Sequence, residues 1–282
     1  MNVQIKDGYI YTKALGEENK GIPLLIIHGG PDWDHTYLLP AANRLSKTRR
    51  VILFDLRGCG RSSKFDAANA YSMSNVLSDI KCVLSAYNIS TCDILGFSFG
   101  GVISIHLLKN TPHQVNKLIL ASTTAFNDFQ EELELNNDYQ ERCTPELQEF
   151  ISQAFKVFPI TKDEPSKSLA LKSIALDVYD LSKLNKIKDI ISKITFSTEW
   201  LNAHRAGKMA APKLSAPETI KASGKDVLIL HGAKDLRFPL SVARRLHKRL
   251  ETSELAIIEN AGHLAHLESP ALWVNKINKF LS

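Results

Sequence analysis

Three residues of this chain have the side chains needed to open an acyl bond: Ser98, Asp235 and His263. A serine hydroxyl is a poor nucleophile at its own pKa and needs a base within hydrogen-bond reach. A histidine can take that proton near neutral pH and return it to a leaving group. An aspartate can hold the imidazole in one tautomer and stabilise the imidazolium. Ser98 stands in Gly96-Phe97-Ser98-Phe99-Gly100. Glycine, any residue, serine, any residue, glycine is the pattern of a sharp strand-to-helix turn that lifts a serine out of a sheet. The apolar run Cys92-Asp93-Ile94-Leu95 ahead of it reads as a buried strand, and Val102, Ile103, Ile105, Leu107 and Leu108 after it read as a helix. The N-terminus of that helix would favour negative charge beside the serine. By itself the five-residue pattern also describes a tight turn whose serine only caps the helix. The surrounding elements must decide.

Asp235 follows the apolar run Val227-Leu228-Ile229-Leu230, and His263 follows Glu254-Leu255-Ala256-Ile257-Ile258. Each of the three residues therefore comes after a strand. In a parallel sheet the C-terminal strand ends share one edge, and ligands bind there. Leu24-Leu25-Ile26-Ile27 is a further buried strand, running into His28-Gly29-Gly30-Pro31. Consecutive glycines leave main-chain amides free, so the N–H groups of Gly30 and Phe99 are expected to donate to an oxyanion. His266 lies near His263, but His263 directly follows the glycine after the strand and ranks first. Asp226 precedes its strand and belongs at the opposite edge, and His28 reads as a structural histidine.

Tyr9-Ile10-Tyr11-Thr12, Val51–Phe54 and Lys117–Ala121 also read as strands, and Ser72–Tyr87 as a helix with Val76, Leu77, Ile80, Val83 and Leu84 on its apolar face. Alternation of strands and helices predicts an α/β fold: a mostly parallel, doubly wound sheet covered on both faces. Asp55 and Arg57 read as a polar network that pins the loop after Val51–Phe54. The alternation stops near Thr123, and Pro145–Val157, Ser166–Val178 and Leu184–Ile194 carry helical spacing only. Residues 1–122 and 213–282 are thus expected to form the core, and residues 123–212 an inserted helical cap. Helices then follow at Ser241–Leu250 and Pro270–Phe280.

The 282 residues are 44% hydrophobic and 23% charged, the composition of a soluble globular protein with a substantial core. The net charge of +5 is spread among interleaved acids, which argues against a nucleic-acid partner. The four cysteines form no C-x-x-C pair, so neither a zinc site nor a disulfide framework is expected. No metal or other cofactor is needed by a hydrolytic triad. No run approaches the ~18 residues of a membrane span, and no secretory leader is evident, so the expectation is a cytoplasmic protein acting on a small molecule or short peptide. The sequence leaves oligomeric state open.

Nearly the whole chain resembles the α/β-hydrolase superfamily, in which the order Ser, Asp, His is the usual one. Within it the chain is similar to the proline iminopeptidase group. The stretches that carry the resemblance are Gly21–Pro31 with its His28-Gly29-Gly30-Pro31, Asp55-Leu56-Arg57-Gly58-Cys59-Gly60-Arg61-Ser62, and Gly96–Gly101. The resemblance implies an acyl-enzyme mechanism, and an aminopeptidase of small peptides is the leading specific expectation. It also implies cap carboxylates for the substrate's free amine. Glu199 is the best match to one, and Glu218 is a candidate for a second. The chain departs from the group at Asp32, where glycine is usual, at Leu56, and at Phe97 and Phe99 of the turn. Phe97 is expected to bear on the acyl pocket. The alternatives are a carboxylesterase or carbon–carbon bond hydrolase on the same machinery, and a ligand-binding receptor of the same fold with little turnover.

Overall fold

The computed structural model describes residues 1–126, 137–147, 149, 164–205 and 214–282. Its frame is an eight-stranded sheet of order β1-β2-β4-β3-β5-β6-β7-β8. The strands are β1 (Asn2–Ile5), β2 (Gly8–Leu15), β3 (Leu24–Ile27), β4 (Val51–Phe54), β5 (Cys92–Phe97), β6 (Val115–Ala121), β7 (Val227–Gly232) and β8 (Glu254–Ile258). β1 pairs antiparallel with β2, and β2 with β4. From β4 through β3, β5, β6 and β7 to β8 every pairing is parallel. The predicted α/β sheet is therefore present, with an antiparallel ribbon at one edge. β1, which buries only alternate residues, carries too short a signal to be read from sequence.

The central strands are apolar because both of their faces are covered. β3, β4, β5 and β7 are buried at every position. Side chains alternate between two cores, as the two-residue period of a strand requires. Leu25, Ile27, Ile52, Phe54 and Ile94 face helices α2 (Met73–Ala86) and α3 (Phe99–Asn110). Leu24, Ile26, Leu53 and Leu95 face α1 (Leu39–Leu45) and the C-terminal helix Pro270–Leu281, whose Trp273, Ile277 and Phe280 are buried there. α2 begins at Ser72, whose hydroxyl accepts from the Asn75 N–H. α1 has a proline in its first turn, where no intrahelical donor is lost, and the sequence reading omitted it.

Between β6 and β7 the described residues form α4 (Asn137–Arg142), α5 (Glu164–Ser173), α6 (Leu184–Ile191) and α7 (Thr198–Arg205), and α8 (Ala216–Ser223) follows just before β7. α5 and α6 correspond to predicted helical stretches. The predicted helix Pro145–Val157 falls mostly outside the described residues. α7 and α8 were not anticipated; α7 is short, and its buried Trp200, Leu201 and Ala203 leave little periodic signal. The remaining helices are α9 (Leu240–Arg249), α10 (Ala265–Glu268) and α11 (Pro270–Leu281). Among the described residues, no helix is long and apolar enough to cross a membrane.

One buried ion pair pins the loop after β4. Arg57 Nε and Nη2 donate to Asp79 Oδ2 and Oδ1 at 2.7 and 2.8 Å, and Nη1 donates to the Ala70 carbonyl at 2.6 Å. The Trp200 indole N–H donates to the Arg57 carbonyl, so the helices after β6 are tied to the same loop. Removing one partner of such a pair leaves an uncompensated buried charge. Asp79→Ala is expected to lower unfolding stability by about 3–5 kcal/mol, read from urea denaturation; a loss below about 1 kcal/mol would show that the pair does not hold the loop.

Candidate active site

β5 ends at Phe97, and the chain reverses into α3 through a single residue, Ser98, at φ 52° and ψ −120°. This left-handed conformation is costly for a residue with a side chain and persists only where neighbours enforce it. They do so here. The Ser98 N–H donates to the Ala121 carbonyl of β6 at 2.9 Å, and the Ser98 carbonyl accepts from the Gly101 N–H at 2.8 Å and the Thr123 hydroxyl at 2.6 Å. The first turn of α3 then lies directly on β3. A Cβ on Gly100 would stand 2.1 Å from the Ile27 carbonyl oxygen, so no larger residue fits.

Parallel register brings the other residues to the same edge. Ile27 of β3 lies beside Gly96 of β5, Phe97 beside Ala121 of β6, Ala121 beside Leu230 of β7, and Gly232 beside Ile258 of β8. The loops that follow carry Gly30, Ser98, Asp235 and His263. His263 Nδ1 lies 2.9 Å from Asp235 Oδ2, and His263 Nε2 lies 3.2 Å from Ser98 Oγ. The other oxygen of Asp235 accepts from the N–H groups of Arg237 and Phe238 at 2.8 and 2.9 Å. Asp235 so held is an acceptor only, which puts the proton of the pair on His263 Nδ1 and leaves Nε2 to accept from Ser98. Burial pushes the Asp235 carboxyl up, but His263 and the main-chain donors outweigh it, and the group lies below its usual range. Burial likewise pulls His263 down; the charge and hydrogen bond of Asp235 reverse this, and the imidazole lies above 6.5.

The loop carrying His263 has its own anchor. Glu268 is buried and accepts from the Gly262 N–H at 2.7 Å and from the Tyr179 and Asp180 N–H groups at 2.9 Å each. The sequence reading gave it no such role. The only sequence signal for it was a carboxylate placed shortly after the loop.

The competing histidines are engaged differently. His28 Nδ1 donates to the Gly29 carbonyl at 2.8 Å and Nε2 accepts from the Leu56 N–H at 3.0 Å, so it is a loop brace. His266 is fully buried, its pKa is pulled to about 3 by burial, and it stacks edge-on against Phe97 with centroids 4.7 Å apart. His231 Nε2 donates to the Phe238 carbonyl at 2.8 Å. Asp34, His35 and Asp55 form a buried cluster with ligand-type atoms within 4.8 Å of one another. Their oxygens are spent on protein donors. Asp34 accepts from the Thr36 and Thr195 N–H groups, and Asp55 from His35 and the Arg61 N–H.

Ser98 and His263 open onto a cavity of about 290 Å³ lined also by Gly30, Trp33, Phe97, Arg237 and Phe238. α5 supplies one wall through Ser166, Leu169, Ala170 and Ser173, the residues of one helical face. The N–H groups of Gly30 and Phe99 have no hydrogen-bond partner among the described residues. Phe97 is in the lining. Glu199 is not; its carboxylate accepts from the Ser197 hydroxyl at 3.1 Å and pairs with Lys64 at 3.4 Å. Among the described residues, the carboxylates in the lining are those of Asp32 and Asp177.

Comparison with known proteins follows the same lines. Over residues 22–270 the chain matches the family described as the alpha/beta hydrolase fold. It is 24% identical to a 2-hydroxy-6-oxo-2,4-heptadienoate hydrolase of Pseudomonas putida, covering 95% of this chain and 92% of that one. It is 25% identical to a proline iminopeptidase of Lactobacillus delbrueckii subsp. lactis, covering 96% and 94%. It superposes on an esterase from Exiguobacterium antarcticum with a TM-score of 0.72, at 22% identity, over 100% and 99% of the two chains. A parallel sheet that gathers these loops at one edge and a family match across most of its length agree: the chain belongs to the alpha/beta hydrolase fold family.

Proposed function

We propose that this chain is a cofactor-independent serine hydrolase of small acyl substrates. The observation that carries the reading is the hydrogen-bond chain from Asp235 through His263 to Ser98, open to the cavity. Ser98 Oγ attacks the acyl carbon while His263 Nε2 takes its proton. Negative charge that forms on the substrate oxygen is met by the N–H groups of Gly30 and Phe99, helped by the N-terminus of α3. His263 then gives the proton to the leaving group, and the acyl-enzyme forms. Water attacks that ester, again through His263, and restores Ser98. Residues 123–212 act as a cap in this reading, and α5 closes one side of the acyl pocket.

Among acyl substrates we place a small ester ahead of an aminoacyl amide. A substrate ammonium group needs a carboxylate in the cavity. Glu199 is turned to Lys64 and Ser197, and Asp177 is matched by Arg237. A second reading, a proline-iminopeptidase-like activity, is favoured by the match to that enzyme along nearly the full chain. In that reading the amine would meet Asp32, a carboxylate of the lining.

Hydrolysis of p-nitrophenyl esters of two to five carbons, measured beside a Pro-arylamide, separates the two. The expected outcome is ester turnover that falls at least about 10³-fold in Ser98→Ala. Near-normal turnover in that variant would sink the proposed nucleophile. Faster cleavage of the free-amine arylamide than of any ester, lost in Ser98→Ala, would establish the second reading instead.

The pH profile tests the base. His263 must be neutral to accept the proton, and its pKa lies above 6.5, so kcat/KM should rise with pH through a midpoint above 6.5. In Asp235→Asn the charge that raises it is gone and burial remains. The midpoint should move to lower pH, with kcat reduced by roughly 10⁴-fold through the wrong tautomer. A midpoint that stays or moves upward would exclude His263 as the titrating base.

A further inference from the structure

The proposed oxyanion donor Gly30 stands on the least rigid backbone a chain can offer, two glycines in succession. Space requires them. A Cβ on Gly29 would stand 2.8 Å from the Ser98 Cβ and 2.9 Å from the Phe97 carbonyl oxygen, and Gly30 has φ 125°. Yet an oxyanion donor is effective only when it is fixed before the reaction begins. Stiffness that the glycines lack must come from side chains around them.

Two side chains supply it. The peptide between Gly29 and Gly30 is trans, so the Gly30 N–H points opposite to the Gly29 carbonyl. That carbonyl accepts from His28 Nδ1 at 2.8 Å. The preceding peptide presents the Gly29 N–H, which donates to the Tyr37 hydroxyl at 2.8 Å. Both peptides that flank the Gly29 Cα are therefore held, one by each side chain. His28 belongs to the same loop, whereas Tyr37 comes from outside it, on the 3-10 turn His35–Leu38 that precedes α1.

That turn is anchored independently of the glycines. Asp34 accepts from the Thr36 and Thr195 N–H groups at 2.7 and 2.9 Å, and Asp55 Oδ1 from the His35 N–H and Nδ1 at 3.1 and 2.6 Å. The Tyr37 ring meets Trp33 and Phe97 edge-on, with centroids 5.0 and 5.7 Å apart. Tyr37 is 0% exposed, and its hydroxyl has no other partner among the described residues. A phenylalanine would fill the same space without burying a hydroxyl, so the bond to Gly29 is what the oxygen contributes.

We propose that Tyr37 is a positioning residue of the oxyanion site: its hydroxyl holds the Gly29 N–H and so keeps the Gly30 N–H aimed at the substrate oxygen. The buried Asp34, His35 and Asp55 cluster serves as the footing of that strut. The inference rests on the serine-hydrolase reading above and adds how its oxyanion site is kept rigid. Tyr37 follows Gly29 by eight residues in a short turn, with no periodicity or motif to single it out.

The test compares Tyr37→Phe with wild type and Ser98→Ala, using p-nitrophenyl butanoate as substrate and 1,1,1-trifluorohexan-2-one and hexan-2-one as inhibitors. The trifluoro ketone adds to Ser98: the Oγ–C bond forms, the carbonyl π pair moves to oxygen, and the hydroxyl proton passes to His263 Nε2. It thus places an oxyanion in the site, while hexan-2-one binds as an unreacted carbonyl. In Tyr37→Phe, kcat/KM should fall about 10- to 100-fold and the trifluoro ketone Ki should rise by the same factor, the scale of a donor displaced rather than removed. The Ki of hexan-2-one should stay within about twofold of wild type. Fluorotyrosine introduced at position 37 alone keeps the ring and weakens the oxygen as an acceptor. It should show a smaller loss in the same two readouts, and it replaces Tyr37→Phe if that variant does not fold. A folded variant whose kcat/KM and trifluoro ketone Ki match wild type overturns the proposal. So does equal weakening of both ketones, which marks a pocket that has changed shape, or slower turnover with trifluoro ketone affinity kept. Turnover that still depends on Ser98 would then leave the serine-hydrolase reading standing, whereas no Ser98-dependent turnover in wild type overturns both.

Discussion

The site depends on one steric constraint, the approach of the first turn of α3 to β3. Gly100 can lie against the Ile27 carbonyl only because it has no Cβ. That contact sets how sharply the chain leaves β5, and so it enforces the left-handed backbone at Ser98. The same geometry leaves the Phe99 N–H at the start of a helix, where no intrahelical acceptor exists. It also brings the β3 loop, with the Gly30 N–H, alongside. In the proposed mechanism the nucleophile and both oxyanion donors therefore follow from a single close contact, and strain in the turn is held by sheet and helix bonds on both sides.

Charge is handled by pairing. Arg57 is matched to Asp79, His35 to Asp55, Arg237 to Asp177 and His263 to Asp235. Each pair is buried at least in part, where an unmatched charge would be costly. Only one of these pairs leaves a ring nitrogen facing a hydroxyl. His35 meets Asp55 with the same atoms as His263 meets Asp235, at 2.6 Å, yet it serves a loop that holds the β3–β4 edge together. A histidine–aspartate pair is thus ordinary structural material in this protein. What sets His263 apart is its second nitrogen, 3.2 Å from Ser98 and open to a cavity.

This explains what the sequence made legible. Fully buried parallel strands write continuous apolar runs, so β3, β4, β5 and β7 could be read directly, and the partly exposed edge strand β8 still carries the apolar run Leu255–Ile258. The residues just beyond their ends could be placed at one edge without any coordinates. Ser98, Asp235 and His263 were placed side by side in that way, through topology rather than motif strength, and they are hydrogen-bonded to one another. His28, Asp55 and Arg57 were also read as framework, and their hydrogen bonds are of that kind. The described helices between β6 and β7 are short, ten residues at most, and their spacing alone does not record how they are turned on the sheet. The position of Glu199 depends on that orientation, and its carboxylate turns to Lys64 instead of the cavity. Arg237, Asp177 and Ser173 come together only through the packing of α5 and the segment after it on the loop after β7, which no local signal records.

The loop after β7 lies both in the cavity wall and against His263. Within three residues it supplies the Asp235 carboxylate, the Arg237 side chain and the Phe238 ring, which packs against His263 with centroids 5.6 Å apart. The N–H groups of Arg237 and Phe238 hold Asp235, while the Arg237 side chain reaches across to Asp177 and Ser173. The Asp177 carbonyl in turn accepts from the Leu264 N–H, next to His263. The segment after α5 thus contacts both the arginine and the histidine loop. In the proposed reaction, then, elements that line the cavity also hold the base in place.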